Sequence, residues 1–176
     1  MTDDWNQGFT HVYTGNGKGK TTAAVGLAVR AAGAGLRVFI GQFIKGAESS
    51  EIAALRRLGA GMTLRQFGCG GFIYGKPSDA DIRAAVAGLS EAQSVLASGN
   101  CELVILDEVN VAVDLGLFPV ERVLALIDRK PPHVELVLTG RNAPAPIIAA
   151  ADLVTEMREL KHYFTAGAPA RRGIES

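Results

Sequence analysis

At 176 residues, 48% of them hydrophobic, the chain can build one domain with a substantial core and is too short for two comfortable ones. Lys plus Arg equals Asp plus Glu at 18 each, so no global positive field recruits nucleic acid or an anionic membrane surface. No apolar run approaches the roughly 20 residues that a bilayer span needs, and the first residues are acidic and polar where a secretory signal would be basic and then apolar, so a cytoplasmic protein is expected.

Met1 to Gly8 is short and polar and is expected to be mobile unless something docks on it. Phe9 to Tyr13 reads as a first strand. It runs into Thr14-Gly15-Asn16-Gly17-Lys18-Gly19-Lys20-Thr21-Thr22, and a helix is expected from Thr21 to about Ala32, stopped by Gly33 and Gly35. Leu36 to Phe43 resumes as a strand rich in β-branched and aromatic residues, which completes the strand, loop, helix, strand order of a parallel α/β unit. A short helical pattern covers Ser49 to Leu58, and Met62 to Phe67 reads as another strand. Gly68 to Pro77 is too glycine-rich for either element and is a candidate functional loop.

Ser78, with Asp81 three residues on, marks the start of a long amphipathic helix that ends at Gly99-Asn100. Glu102 to Leu106 is a nearly unbroken apolar run, as in a strand buried on both faces of a parallel sheet, and it ends in Asp107-Glu108. Pro119 suits the first turn of a helix reaching Asp128. Val134 to Leu138 is a further buried strand closing on Thr139-Gly140-Arg141-Asn142. Pro144 and Pro146 introduce a short helix, and Asp152 to Thr155 reads as an edge strand. The expected fold is one α/β domain, residues 1–176, with a mostly parallel sheet flanked by helices.

The glycine loop reads as a phosphate cradle. Glycines let successive N–H groups turn inward, Lys20 adds a compact positive charge, and the helix that follows presents its positive dipole end. Thr21 offers a hydroxyl to a Mg²⁺ or Mn²⁺ ion bridging phosphate oxygens. The common pattern G-x-x-x-x-G-K-[ST] has glycine where this chain has Thr14. Ligands of open α/β sheets sit outside the carboxyl ends of the strands, where the glycine loop, Asp107-Glu108 and Arg141 would converge. A solvated strand end is the alternative for the acidic pair, and a surface ion pair for Arg141. His11, His133 and His162 are scattered, with no metal-ligand spacing, and Cys69 and Cys101 form no Cys-x-x-Cys pair. No general base is readable, which fits a reaction whose nucleophile comes from the substrate.

Five blocks taken in order, Thr14 to Ala24, Gln42-Phe43-Ile44-Lys45-Gly46, Leu106-Asp107-Glu108-Val109-Asn110, Leu138-Thr139-Gly140-Arg141-Asn142 and Glu159-Leu160-Lys161-His162, resemble the P-loop type of ATP:corrinoid (cob(I)alamin) adenosyltransferases. Thr14 in place of glycine is normal within that family. The resemblance implies transfer of the 5′-deoxyadenosyl group of ATP to Co(I) of a corrinoid, with release of triphosphate. Gly15, Asn16, Gly17, Lys18, Gly19, Lys20, Thr21 and Thr22 would wrap the triphosphate, and Arg30 and Arg141 would contact ATP. Thr21 and Glu108 would hold the metal, with Asp107 assisting.

Phe72 and Tyr74 match the aromatic pair that shields the lower face of the corrin in the family. Tyr74 stands where tryptophan is often found, and ordinary loop packing is the alternative for both. By the same resemblance the protein would be a homodimer served by an electron-donating reductase or flavoprotein. Relatives often carry a longer leader over the neighbouring subunit's site, against which Met1 to Gly8 is short. The competing readings are a P-loop kinase of a small hydroxylated substrate and a non-catalytic corrinoid or nucleotide carrier.

Overall fold

Short apolar runs alternate with helical patterns along the whole chain, and the computed structural model turns them into strands and helices in that order. It describes residues 7–46, 50–57, 59, 61–70, 73 and 75–175. The elements are β1 (Thr10–Thr14), α1 (Lys20–Gly33), β2 (Val38–Phe43), α2 (Ser50–Arg57), β3 (Met62–Phe67) and α3 (Asp79–Ser98). There follow β4 (Leu103–Asp107), α4 (Val109–Asp114), α5 (Val120–Asp128), β5 (Glu135–Thr139), α6 (Ala145–Ala150) and β6 (Leu153–Glu156), then a 3₁₀ turn at Tyr163–Ala166.

The six strands form one sheet in the order β3-β2-β4-β5-β1-β6, and every pairing between them is parallel. All carboxyl ends therefore lie along one edge, and the loops that leave them share it. The fully buried strands β2 and β4 sit inside the sheet because neither has a polar face to offer water. Phe39, Phe43, Val104, Leu106, Leu136 and Leu138 point to the face covered by α3 and its neighbours. Val38, Ile40, Leu103, Ile105 and Val137 point the other way, against the alanines of α1 and against Ile52 and Leu55 of α2. Small residues at Ala24, Ala28 and Ala31 let α1 lie close to the strands.

Local signals explain most element ends. The Ser78 hydroxyl accepts from the Asp81 N–H at 3.2 Å while the Asp81 carboxylate accepts from the Ser78 N–H at 3.0 Å, so both first-turn donors are satisfied. Gly99 closes α3 in the left-handed region, φ 61°. Strand ends fall within one or two residues of expectation.

One expectation is corrected and one element is added. Pro119 is the extended residue that precedes α5, φ −71° and ψ 151°, and not part of its first turn. Helix α4 was not expected, because Val-Asn-Val-Ala-Val-Asp alternates like a strand. Its helical course follows from Glu108, whose left-handed backbone (φ 61°, ψ 17°) reverses the chain at the end of β4.

Candidate active site

The backbone of β1 ends at Thr14 and that of α1 begins at Lys20, so five residues must turn the chain through the carboxyl edge of the sheet. Gly15 does so with φ 94°, and a Cβ there would run into the Met157 carbonyl oxygen. A Cβ at Gly17 would stand 2.8 Å from the same oxygen. The space is taken because the chain beyond β6 lies against the loop: the Gly17 N–H donates to the Met157 carbonyl at 2.7 Å, and the Met157 N–H to the Thr14 carbonyl at 2.8 Å. Thr14 belongs to β1 and needs no glycine conformation. Its buried hydroxyl accepts from the Ala143 N–H at 3.3 Å, tying the loop to the segment after β5.

Lys20 is buried, and its ammonium donates to the carbonyls of Gly15 and Gly17, each at 2.7 Å. Burial lowers its pKa from the usual lysine value, while Glu108 and Asp107 hold the charge in place. A lysine gripped by the loop's own carbonyls is already positioned over it, so little side-chain freedom remains to be lost on binding a phosphate.

Asp107, at the end of β4, is 1% exposed. Its Oδ1 accepts from the hydroxyls of Thr21 at 2.9 Å and Thr139 at 2.7 Å, and its Oδ2 accepts from the Gln42 amide at 3.0 Å. Gln42 in turn accepts from the Gln66 amide at 3.2 Å. Thr139 also accepts from the Glu108 N–H at 3.0 Å, which secures the left-handed turn there. Burial and the neighbouring Asp107 push the Glu108 pKa up, and Lys45, Lys20 and Arg141 pull it part of the way back.

Lys20, Thr21 and Glu108 line one cleft of about 640 Å³, a volume that suits a nucleotide-sized molecule. Its floor is the loop from Asn16 to Thr22, and Glu108 and Arg141 rise from the ends of β4 and β5. The expected acidic pair thus divides: Glu108 faces the cleft, and Asp107 stands behind it as the acceptor that orients Thr21. Gly15 shapes the base of the loop without lining the cleft.

Arg30 stands in the last turn of α1, about 15 Å of helix away from Lys20, outside the cleft lining, with its charge acting on Tyr13. Phe72 and Tyr74 lie outside the described residues. Before them, the described residues Gly68 and Gly70 lie against the segment after β2, since a Cβ at Gly68 would run into the Ile44 backbone and one at Gly46 into the Gly70 backbone.

Sequence reasoning assigned no role to Lys45, Glu51, Glu159, His162 or Glu175, all of which line the cleft. Lys45 is aimed there by Ile44, a β-branched residue at φ 71°, and makes a 3.6 Å ion pair with Glu51. The signal available for it was its place just past a strand's carboxyl end. No such signal existed for Glu175, which the sequence places in a charged tail.

A parallel sheet carrying a phosphate loop, a buried loop lysine and an acidic strand end that orders the loop threonine defines a P-loop nucleotide-binding protein. Within that class the chain belongs to the family described as ATP:corrinoid adenosyltransferase BtuR/CobO/CobP, whose model matches residues 6–176. It is 41% identical to a corrinoid adenosyltransferase of Pseudomonas aeruginosa over 96% of this chain and 84% of that one. It is 37% identical to the corrinoid adenosyltransferase CobA of Salmonella typhimurium and 36% identical to a corrinoid adenosyltransferase of Escherichia coli K12, each over 96% of this chain and 86% of the relative.

Proposed function

We propose that the protein transfers the 5′-deoxyadenosyl group of ATP to Co(I) of a corrinoid and releases triphosphate. One observation carries this reading: a preformed phosphate loop with its buried lysine faces Glu108 across a nucleotide-sized cleft, in a chain that matches the family along nearly its whole length. The reduced cobalt of the substrate is the nucleophile. A Co–C bond forms to the 5′ carbon, the C5′–O bond breaks, and its electron pair leaves on the triphosphate. No side-chain base is required.

The chain's own work is alignment and charge stabilisation. The phosphate loop and the positive end of α1 face the triphosphate, with the Gly17 N–H held by the Met157 carbonyl; Lys20 neutralises it as negative charge grows, and Arg141 adds a cation from the opposite rim. Thr21 donates its proton to Asp107, so its oxygen lone pairs remain for a cation in the cleft. That hydroxyl and the Glu108 carboxylate are hard oxygen donors that suit Mg²⁺ or Mn²⁺. Such an ion takes most of its ligands from phosphate and water. When bound, the ion supplies charge neutralisation of the triphosphate.

Arg30 is assigned to ATP by family resemblance, and Phe72 and Tyr74 to the lower corrin face. The protein acts as a cytoplasmic homodimer and takes its reducing electron from a reductase or flavoprotein. Among the described residues no helix is long and apolar enough to cross a membrane.

The test mixes protein, ATP, Mg²⁺ and chemically reduced cob(I)alamin anaerobically and follows corrinoid absorbance and phosphate products. A light-sensitive alkylcobalamin with stoichiometric triphosphate is expected, and an incomplete corrinoid run in parallel shows which form is preferred. Release of ADP would favour the kinase, and binding without turnover would favour the carrier.

A further inference from the structure

The cleft has a wall that the phosphate loop does not supply. It is lined there by Glu159, His162, Gly173, Ile174 and Glu175, all from the chain that follows β6. This chain has few apolar anchors: Leu160 is 94% exposed and Phe164 72%. What secures it is a knot of polar contacts around one carboxylate. Glu175 accepts from the Lys18 ammonium at 2.9 Å, the Arg171 N–H at 2.7 Å, the Arg171 guanidinium at 3.2 Å and the Tyr163 hydroxyl. Lys18 also donates to the Tyr163 oxygen at 3.0 Å, and the Arg171 guanidinium lies 4.8 Å from the centre of the Tyr163 ring. The contacts with Arg171, Tyr163 and Lys18 hold the Glu175 carboxyl well below the usual carboxylate range.

A single exposed ion pair would do little. Here one carboxylate satisfies donors from three residues at once and joins position 18 of the phosphate loop to positions 163 and 171.

We propose that Glu175 is a positioning residue of the nucleotide site: it latches the chain after β6 to Lys18 and so fixes the wall against which the nucleoside end of ATP is held. The proposal rests on the ATP reading above and deepens it. With the wall in place the cleft still measures about 640 Å³, so the latched chain shapes the site and does not plug it. The ammonium of Lys18 is already engaged by Glu175, so the phosphate charge falls to Lys20. Lys18 contributes its backbone N–H to the loop and its side chain to the wall.

The experiment measures binding of ATP and of inorganic tripolyphosphate, both with Mg²⁺, by calorimetry for the unaltered protein, Glu175→Ala, Lys18→Ala and the double variant. Loss of the wall is expected to weaken ATP binding and raise the KM for ATP by roughly tenfold, and Glu175→Ala should leave tripolyphosphate affinity and the corrinoid KM unchanged. The double variant should be no worse than either single one, because both remove the same latch. Trypsin cleavage after Arg171 should also quicken in each variant.

If Glu175→Ala instead tightens tripolyphosphate binding, the carboxylate competes with phosphate for Lys18 and the proposal is overturned. Unchanged ATP affinity in Glu175→Ala overturns it as well. If the unaltered protein binds neither ATP nor tripolyphosphate, the ATP reading itself fails, an outcome distinct from both.

Discussion

Lys20 and Glu108 show how single residues here are set for binding at a cost to stability. Replacing Lys20 by Ala removes charge-assisted contacts worth about 1.5–3 kcal/mol each, so ATP affinity should fall on the order of a hundredfold; calorimetry showing near-normal affinity would contradict its role. Glu108 sits in a strained backbone conformation and its carboxyl is pushed above its ordinary range by burial and Asp107. The folded state therefore binds this proton more tightly than the unfolded chain does. Between the ordinary glutamate pKa and the raised one, stability should fall as pH increases, and above both values the ionised group is a standing cost. Glu108→Gln should accordingly raise the melting temperature by a few degrees at pH 7.5, with little gain at pH 4, while reducing adenosyl transfer severely. A variant that melts lower at pH 7.5 would reverse this assignment. At Phe72 the prediction comes from family resemblance: Phe72→Ala should leave ATP binding intact and weaken conversion of Co(II) corrinoid to the four-coordinate form, read from its spectrum with ATP present.

Among the elements, α3 packs against the sheet at Gly88, where a Cβ would run into the Phe67 ring; Phe67 also lies against Gly41, and its ring centre is 5.4 Å from that of Phe43. Gly88→Ala should therefore destabilise the protein by about 1–3 kcal/mol through overpacking, measured by chemical denaturation. Elements of this kind were largely legible in the sequence. Apolar runs closing on an acidic pair or on Thr-Gly marked β4 and β5, β-branched and aromatic residues marked β2, and the Ser78 and Asp81 pair marked the start of α3, because those signals act over a few residues. Helix α4 was hidden, since its alternating valines carry a strand's period and only the reversal at Glu108 overrides it. The phosphate loop and the acidic strand end could be read for the same local reason. The resemblance set Glu108 on the metal with Asp107 assisting, but the contacts that hold Asp107 behind the cleft could not be read, because they depend on Thr139 and Gln42 arriving from two other strands. The wall was least legible: Lys18 and Glu175 meet across 157 positions of chain, and nothing periodic or apolar foretells the meeting.

Over the whole molecule the balanced charge leaves no long-range field to bring anionic ATP to the cleft, so local cations must do so and salt should slow its association only modestly. The homodimer expected from the family should sediment at twice the 18.5 kDa chain mass; a monomer at assay concentration that still turns over would remove it from the mechanism. The hydrogen bonds joining the phosphate loop to Met157 bear on how the protein assembles. Gly17 and Met157 lie 140 positions apart in the chain, and such distant pairings form slowly because loop closure must precede them. Helices α1 and α3 can form early, but the loop acquires its final outline only when β6 docks beside β1 at the sheet's edge. Nucleotide affinity should consequently be the last property to return during refolding, appearing after helical signal has recovered, so that a fluorescent ATP analogue would time the arrival of the sixth strand.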